Sequence, residues 1–487
     1  MADNVYDVIV VGGGVVGCHC ARELSRYHLR VLLLEKEADV CSGASKANSA
    51  IVHACLSPRP GSLKAQLCLK GNRLMPQVCR ELGVAYRRNG ALTVALSERE
   101  LQVLRALQKR GERNGERDLR LISGAELRQA EPALSGGACA ALLAPSAGIV
   151  DPFMLTIAAA ENAVANGAEV MLEAEVMAVI VEAERVAGVS TTKGDFHCRY
   201  LVNAAGLYAD RVMRMATGDG LWIKPRRGDY YVLDKMELVR QTIFPIPSPT
   251  SKGILVTPTV HGNILLGPTS LPDEHREAPP VLAVGLEQVR QQVARLIPSV
   301  DMSRCIAVFA GVRPSGARDF VIELAKRPKG LLNLAGIESP GLTAAPAIAH
   351  LAVSLLAQAG LALNPKADFN PIREAPPRVA EMPLAERAVL AERDPRYGRI
   401  VCRCEGVSEG EIVAAIHGLL PVYTLDAVKK RTRAMAGRCQ AGFDMPLIVE
   451  IMARELGIEP WQVSKSGPGS EVLAGLTKEW LLEEAAR

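Results

Sequence analysis

The chain has 487 residues, of which 48% are hydrophobic and 23% are charged, and its net charge at pH 7 is +4. This length favours about two to four domains, and the composition is typical of a large α/β enzyme rather than a disordered chain. Acidic and basic residues are interspersed, which argues against nucleic-acid binding as the main function. We expect no transmembrane segment, because no uninterrupted apolar run reaches about eighteen residues. Asp3 and Asp7 stand where a signal peptide needs positive charge, so a cytoplasmic protein is expected.

Residues 5–36 are predicted to form a strand, a glycine-rich turn, a helix and a second strand. Gly12, Gly14 and Gly17 match the spacing G-x-G-x-x-G, and Glu35 follows where a ribose-binding carboxylate is expected. The first glycine allows a tight turn, the second lets backbone amides approach a pyrophosphate, and the third lets the helix pack closely on the strand. This segment therefore predicts a dinucleotide site.

Strand and helix patterns alternate up to about residue 370, which predicts an α/β sheet. The predicted strands of this sheet lie at 5–11, 30–35, 168–182, 199–204 and 330–335. Further strand-like segments are separated by Gly and Pro turns, as in an antiparallel sheet: RRGDYYVL, QTIFPIP, GILVTPTV and GNILLGPTS. We expect the first sheet to bind a cofactor and the second to cover the substrate.

Residues 371–397 are rich in proline and charge, which predicts a linker or a strap along the surface. Short helices are predicted from about residue 398. Ser408 and Glu411 form a capping-box pattern before one helix, and Thr424 precedes another.

Most of the twelve cysteines stand singly in apolar or helical contexts, where reduced core residues are expected. Only one group has the spacing of metal ligands: Cys402 and Cys404, followed by Cys439.

Several segments resemble the D-amino-acid-oxidase-like flavoproteins: GGGVVG, ASKANSAIVHA, GIVDPFMLT, VNAAGLYAD, GVRPSGARDFVIE and GIESPGLTAAPAIA. Within this family they look most like the large subunits of anaerobic glycerol-3-phosphate dehydrogenase and like L-2-hydroxyglutarate dehydrogenase. The resemblance implies an α/β fold, with a Rossmann-like FAD-binding domain and an antiparallel-sheet substrate domain. The expected FAD-dependent oxidoreductase domain covers 1–370, with FAD-binding parts at about 1–80, 145–220 and 305–365 and substrate-binding parts at about 81–144 and 221–304.

The resemblance also implies which residues contact FAD. Glu35 would hold the adenosine ribose, Val176 would meet the adenine through its backbone, and the turn from Gly336 to Thr343 would contact the flavin ring. Ser45, Asn48 and Ser49 would lie along the flavin, and Ala205 with Gly206 would close over the diphosphate. The full expected set is Gly12, Gly14, Gly17, Glu35, Lys36, Ser45, Asn48, Ser49, Val176, Ala205, Gly206, Gly336, Pro340, Gly341, Leu342 and Thr343.

Five residues are candidates for the substrate site. By resemblance Arg313 grips the anionic end of the substrate, since its guanidinium pairs bidentately with phosphate or carboxylate; the alternative is a buried ion pair. His53 would lie beside the flavin as a base or would orient the substrate, unless it is a hydrogen-bonded core residue. Arg318 would be a second anchor or part of an ordinary salt bridge. Lys252 and His261 are weaker candidates for the substrate roof, and surface exposure explains them equally well.

The C-terminal region resembles bacterioferritin-associated ferredoxin, which implies a small helical ferredoxin-like 2Fe-2S domain over 398–460 and a tail over 461–487. Cys402, Cys404 and Cys439 fall on ligand positions, but Asp444 stands where the family has its fourth cysteine. Either Asp444 ligates and gives a retuned cluster, or the cluster is lost and the domain is kept as a scaffold; zinc is a minor alternative. A basic run would offset the cluster charge or simply be solvated: Lys429, Lys430, Arg431 and Arg433.

The function we expect is oxidation of a small anionic 2-hydroxy compound, first sn-glycerol 3-phosphate, by hydride transfer to flavin N5. Electrons would then pass to a second redox subunit or a quinone-linked acceptor, through which the protein would be peripheral to the membrane. Three alternatives remain at this point: an L-2-hydroxyglutarate dehydrogenase, an amino-acid or amine oxidase of the same fold, and an electron-transfer subunit without catalytic activity.

Overall fold

The computed structural model describes residues 5–248, 251–277, 280–316, 318–475 and 477. The chain divides into two compact units, Met1–Lys36 with Val40–Arg373, and Glu37–Asp39 with Glu374–Arg487. This division lies close to the start of the predicted linker.

The described strands are mostly short, and in chain order they are β1 Val5–Val11, β2 Val31–Leu34, β3 Ile51–Val52, β4 Tyr86–Arg87, β5 Ala91–Ala95, β6 Arg120–Ser123, β7 Ala140–Ala144, β8 Gly148–Val150, β9 Glu169–Met171, β10 Val176–Glu182, β11 Arg185–Thr191, β12 Gly194–Asn203, β13 Lys224–Leu233, β14 Thr242–Pro245, β15 Leu255–Pro258, β16 Ile264–Gly267, β17 Leu271–Pro272, β18 Cys305–Ser315, β19 Val321–Leu324, β20 Leu331–Ala335, β21 Ile400–Cys402 and β22 Val407–Ser408.

The described α-helices are α1 Val15–Leu24, α2 Leu63–Leu82, α3 Glu98–Arg113, α4 Gly124–Ala130, α5 Pro152–Ala165, α6 Ala209–Thr217, α7 Ala283–Leu296, α8 Gly341–Gln358, α9 Leu384–Arg393, α10 Glu409–Ile416, α11 Leu425–Thr432 and α12 Met445–Leu456.

An eight-stranded sheet of the first unit is built around β1, in the order β10-β11-β12-β1-β2-β9, with β20 beside β12 and β19 beside β20. β1 runs parallel to β2 and β12, and β12 runs parallel to β20. The apolar sequence of β1 explains its place, because central parallel strands are covered on both faces. The predicted strands at 5–11, 30–35, 199–204 and 330–335 are confirmed. The predicted run 168–182 is instead two strands, β9 and β10.

The second sheet has nine strands, in the order β17-β13-β16-β15-β14-β5-β7-β6, with β18 also pairing with β13. The four strand-like segments predicted for it form β13, β14, β15 and β16, and most of their pairs are antiparallel. Two features differ from the prediction. β14 runs parallel to β5, and β18 joins this sheet although residues 305–365 were expected in the cofactor part. Long-range pairing decides both features, and local sequence does not encode it.

Helix α8 is the one described helix that has the length and composition of a membrane span, and 61% of its apolar window is buried. It packs against α1 and α2 inside the first unit. The approach to α2 is close at Gly71, where a Cβ atom would lie 2.0 Å from the carbonyl oxygen of Thr343. Backbone contact at this distance admits only glycine.

The second unit is a small helical module. The capping box predicted from Ser408 and Glu411 is present at the start of α10, and Thr424 caps α11 through the N–H of Ala427. The apolar faces of α10, α11 and α12 share one core. The predicted linker contains α9, and the predicted tail contributes the fully buried Val463 to this core. Residues 476 and 478–487 of that tail lie outside the described residues.

We predict that Gly71→Ala lowers the free energy of unfolding of the first unit by roughly 1–3 kcal/mol, because α2 and α8 must move apart. Gly136→Ala is the matched control, since nothing lies within 4 Å of the position of its Cβ atom. Urea unfolding of both variants measures the difference. Equal stability of the two variants would contradict the close crossing.

Candidate active site

The glycine loop after β1 has room for backbone only. Gly12 has a φ of +108°, and a Cβ atom there would lie 2.6 Å from the carbonyl oxygen of Ala204. At Gly17 a Cβ atom would lie 1.9 Å from the carbonyl oxygen of Gly12. Gly14 precedes the first residue of α1, so the positive end of the helix dipole lies at the loop. This cradle fits an anionic pyrophosphate.

The residues predicted to hold the adenosine end of FAD lie at the ends of β2, β10 and β12 in the eight-stranded sheet. Glu35 follows β2 and accepts a 2.6 Å hydrogen bond from the N–H of Gly13, so its carboxylate also fixes the loop. The ammonium of Lys36 lies 4.5 Å from the ring centre of Tyr208. Ala205 and Gly206 follow β12, and Val176 begins β10.

The loop carrying Ser45, Asn48 and Ser49 is held by its own side chains. The Asn48 amide donates to the carbonyl oxygen of Ser45 at 2.7 Å and accepts from the N–H of Ala50 at 2.8 Å. Ser45 Oγ accepts from the N–H of Val15 at 2.9 Å, which ties the loop to the start of α1. Ser49 Oγ lies 3.1 Å from the hydroxyl of Tyr230 on β13. The structure therefore gives Asn48 a loop-shaping role.

The turn before α8 approaches the same loop. Gly336 has a φ of +62°, and Pro340, Gly341 and Leu342 lead into the first turn of the helix. Thr343 Oγ1 accepts from the N–H of His53 at 2.9 Å and donates to the carbonyl oxygen of Ile51. This side chain positions His53.

A hydrogen-bonded chain of three side chains ends at His53. Lys252 Nζ donates to Ser339 Oγ at 2.8 Å, and Ser339 Oγ lies 3.2 Å from His53 Nε2. His53 and Lys252 line a cavity with Ile51, Thr93, Ala144 and Phe244. Burial, reinforced by the charge of Lys252, lowers the pKa of His53 well below its usual value. Burial also lowers the pKa of Lys252, to about 8.

Arg313 brings a second positive charge to this region. It lies on β18 opposite Arg226, and its Nη2 donates to the carbonyl oxygen of Thr269 at 2.6 Å. Its charge lowers the pKa of Lys252, so the two cations act on each other. Within the described residues neither Arg313 nor Lys252 forms an ion pair within 4 Å. An anion placed between them would relieve their repulsion.

Glu338 is the acidic side chain of this region, and it is already paired. Burial raises its pKa, but the ammonium of Lys64 at 2.8 Å outweighs burial and the net pKa is lowered. Ser315 Oγ also hydrogen bonds to this carboxylate. Glu338 therefore stays ionised beside Lys64.

Two of the predicted substrate residues lie elsewhere. His261 Nε2 lies 2.9 Å from Asp151 Oδ2, at the residue that caps α5. Arg318 is exposed on the loop after β18. The role of His261 in the substrate roof stays a prediction, and the structure shows this side chain engaged with Asp151.

Sequence reasoning did not single out Ser339, Tyr230, Glu338 or Lys64. Ser339 and Glu338 lie in the segment GIESPG, and Tyr230 lies in RRGDYYVL. Both segments were part of the predictions, but no pattern marked these three residues individually. A hydroxyl or an ion pair has no spacing rule that marks it as part of a site.

In the second unit, the predicted cluster ligands form two pairs. The side chains of Cys404 and Cys439 interact with each other, and those of Cys402 and Asp444 do the same. Among the described residues, no three His, Cys, Asp or Glu side chains converge tightly enough to hold a single metal ion. A four-ligand zinc site is therefore not supported.

The basic run of α11 pairs with carboxylates rather than being solvated. Asp39 Oδ2 lies 2.6 Å from Lys430 Nζ and 2.9 Å from Arg431 Nη1, and Arg433 Nε lies 2.8 Å from Glu405 Oε2. These three cations are thus engaged in local ion pairs. The prediction that they offset the charge of the cluster gains no support from these contacts.

Comparison with known proteins identifies relatives of both units. Residues 7–355 match the family model of the FAD dependent oxidoreductases, and residues 400–454 match that of the BFD-like [2Fe-2S] binding domain. A glycerol 3-phosphate dehydrogenase of Caloramator mitchellensis is 43% identical, over 97% of this chain and 99% of that protein.

Two further relatives match the first unit. The FAD-bound L-α-glycerophosphate oxidase structure from Mycoplasma pneumoniae has a TM-score of 0.73 and 31% identity, and the match covers 76% of this chain and 99% of that one. A mitochondrial L-2-hydroxyglutarate dehydrogenase of Nematostella vectensis is 34% identical over 55% of this chain and 61% of that protein. The protein therefore belongs to the family of FAD dependent oxidoreductases and carries a BFD-like [2Fe-2S] binding domain after its FAD-binding domain.

Proposed function

We propose that this protein is a dehydrogenase that oxidises sn-glycerol 3-phosphate at C2 to dihydroxyacetone phosphate. The observation that carries the proposal is the hydrogen-bonded chain from Lys252 through Ser339 to His53, with Arg313 near enough for its charge to lower the pKa of Lys252. The name of the 43% identical relative supports the same substrate. Bound FAD supplies the hydride acceptor, and side chains of this protein bind the substrate and accept its proton.

Arg313 and Lys252 bind the phosphate of the substrate. A guanidinium offers a planar fork and an ammonium offers a compact point charge, and together they match the two negative charges of a phosphate monoester. The bond from Arg313 to the carbonyl oxygen of Thr269 holds the guanidinium in place. Fixing the phosphate in this way orients the C2–H bond of the substrate.

His53 accepts the proton of the C2 hydroxyl. Because Lys252 donates to Ser339, the hydroxyl hydrogen of Ser339 is available to donate to His53 Nε2. An imidazole that accepts at Nε2 is neutral, as its lowered pKa also requires. A substrate hydroxyl that replaces Ser339 as the hydrogen-bond donor to this nitrogen is positioned to pass its proton to the imidazole.

L-2-hydroxyglutarate is the second candidate substrate. Its two carboxylates would pair separately with Arg313 and Lys252, and dehydrogenases of this compound are among the relatives. Phosphate is favoured because the two cations act on each other and so suit one dianion better than two separated anions.

The electrons leave the protein to a separate acceptor, for which we propose a second redox subunit or a quinone-linked protein. The cluster-binding unit supports this route, and Phe443, next to Asp444, is 79% exposed. Arg403 and Arg438 are also exposed beside the cysteines, so an acidic protein surface would suit this face. A cytoplasmic location, with membrane attachment only through the acceptor, stays a prediction.

Anaerobic mixing with candidate substrates tests the proposed reaction. We expect sn-glycerol 3-phosphate to bleach the flavin absorbance with a second-order rate constant at least about tenfold above that of L-2-hydroxyglutarate or any amino acid. Stopped-flow absorbance measures these rates. Faster bleaching by an amino acid, or no bleaching by any of the compounds, would refute the proposal.

Replacement of Arg313 tests the phosphate contact. Arg313→Met should lower the rate constant for sn-glycerol 3-phosphate by roughly a hundredfold, the loss of about 2.7 kcal/mol from a charge-assisted pair. Arg226→Met is the matched control, because Arg226 faces Arg313 across the strands but donates to the carbonyl oxygen of Ser270 at 2.8 Å. Equal losses in both variants would remove Arg313 from the site.

The pH dependence tests Lys252. Its pKa is lowered to about 8, so the charged form is lost as the pH rises through that value. We predict that kcat/KM for sn-glycerol 3-phosphate falls above about pH 8, approaching tenfold per pH unit. Lys252→Arg should abolish this fall, because a guanidinium stays charged. Lys224→Arg, at an exposed position of β13, should keep it. A fall that persists in Lys252→Arg would assign it to another group.

A further inference from the structure

Asp444 is a buried carboxylate at the N-terminus of α12, but it does not cap that helix. It precedes the first residue of α12, where an aspartate ordinarily caps the helix, yet its side chain accepts no hydrogen bond from the first turn. The side chain turns away from the helix instead, and Oδ2 accepts from the N–H of Met435 at 2.9 Å. Helix capping therefore does not account for an acidic residue at this position.

The other oxygen of this carboxylate needs a partner that the described protein groups do not supply. Asp444 is 1% exposed, and its Oδ1 is buried with no N–H or O–H donor among the described residues. The thiol of Cys402 lies close enough to interact with this carboxylate. No described ion pair includes Asp444. Burial of a carboxylate in this state is costly unless a cation completes its coordination.

The cation that fits is an iron of a binuclear cluster. Each iron of a [2Fe-2S] cluster takes two protein ligands and two bridging sulfides, so the cluster needs two pairs of side chains rather than one group of four around a single ion. The structure supplies two pairs, Cys402 with Asp444 and Cys404 with Cys439. The loops around them also have left-handed backbone at non-glycine positions, among them Met435 and Ala441.

We propose that Asp444 is the fourth protein ligand of the [2Fe-2S] cluster, sharing one iron with Cys402 while Cys404 and Cys439 hold the other. The carboxylate matches the single negative charge of the thiolate that it replaces but is a harder ligand. One sulfur-to-iron charge-transfer contribution is lost as a result, and the two irons become chemically different. This proposal does not depend on which substrate the flavin oxidises.

Iron content and spectroscopy of the full chain test the proposal. The wild-type protein, reconstituted anaerobically with ferrous iron and sulfide, should hold two irons and two acid-labile sulfides per chain. Asp444→Ala and the isosteric Asp444→Asn should each bind at least about tenfold less iron per chain than the wild type, because neither side chain supplies an anionic ligand. Asp444→Cys should keep the iron. Its visible circular dichroism should move to longer wavelength, and the electron paramagnetic resonance of its dithionite-reduced form should change.

Two controls separate ligation from folding. Asp426→Ala changes another aspartate of this unit, one that pairs with Lys465 at the surface, and should keep the wild-type iron content and spectra. All variants should keep their FAD content and their helical circular dichroism, which shows that loss of iron is not loss of fold. The proposal is overturned if Asp444→Asn keeps the iron and spectra of the wild type, if Asp444→Cys is spectroscopically identical to the wild type, or if the wild-type protein takes up FAD but no iron.

Discussion

The hydrogen-bonded chain from Lys252 through Ser339 to His53 organises the substrate end of this protein. It joins a loop before β15, the turn before α8 and the residue after β3, three segments far apart in sequence. Burial makes the chain chemically useful, because it lowers the pKa of His53 well below its usual value and the pKa of Lys252 to about 8. Arg313 adds a second cation nearby, and the proposed function assigns these four groups to a site for an anionic alcohol.

Close backbone contacts position these groups, at points where there is no room for a side chain. Gly71 lets α2 lie against the start of α8, and Gly311 lets β18 lie against the carbonyl oxygen of Ala47 in the loop that carries Ser45 and Ser49. These crossings fix the cofactor cradle and the substrate sheet within the first unit. The second unit is built on a separate core, and its functional groups lie at the end of β21, in the turn after β21 and in the loop before α12.

The sequence allowed prediction of features that depend on neighbours in the chain. The strand, glycine turn and helix of residues 5–36 and the capping box at Ser408 follow from local sterics and hydrogen bonding, and both are present. The pairing of β14 with β5, the place of β18 and the contact of His261 with Asp151 depend on segments distant in sequence. The role of Ser339 could not be predicted either, because it depends on Lys252 and His53, which are distant in sequence.

The paired cations near His53 can be tested without any turnover. Ethyl phosphate and butanoate carry similar short chains and no oxidisable hydroxyl, so titration of the oxidised flavoprotein with each compound compares a dianion with a monoanion directly. A site formed by Arg313 and Lys252 should bind ethyl phosphate at least about tenfold more tightly, in competition with sn-glycerol 3-phosphate and with a change in the flavin spectrum. Equal or tighter binding of butanoate would contradict a site built for phosphate.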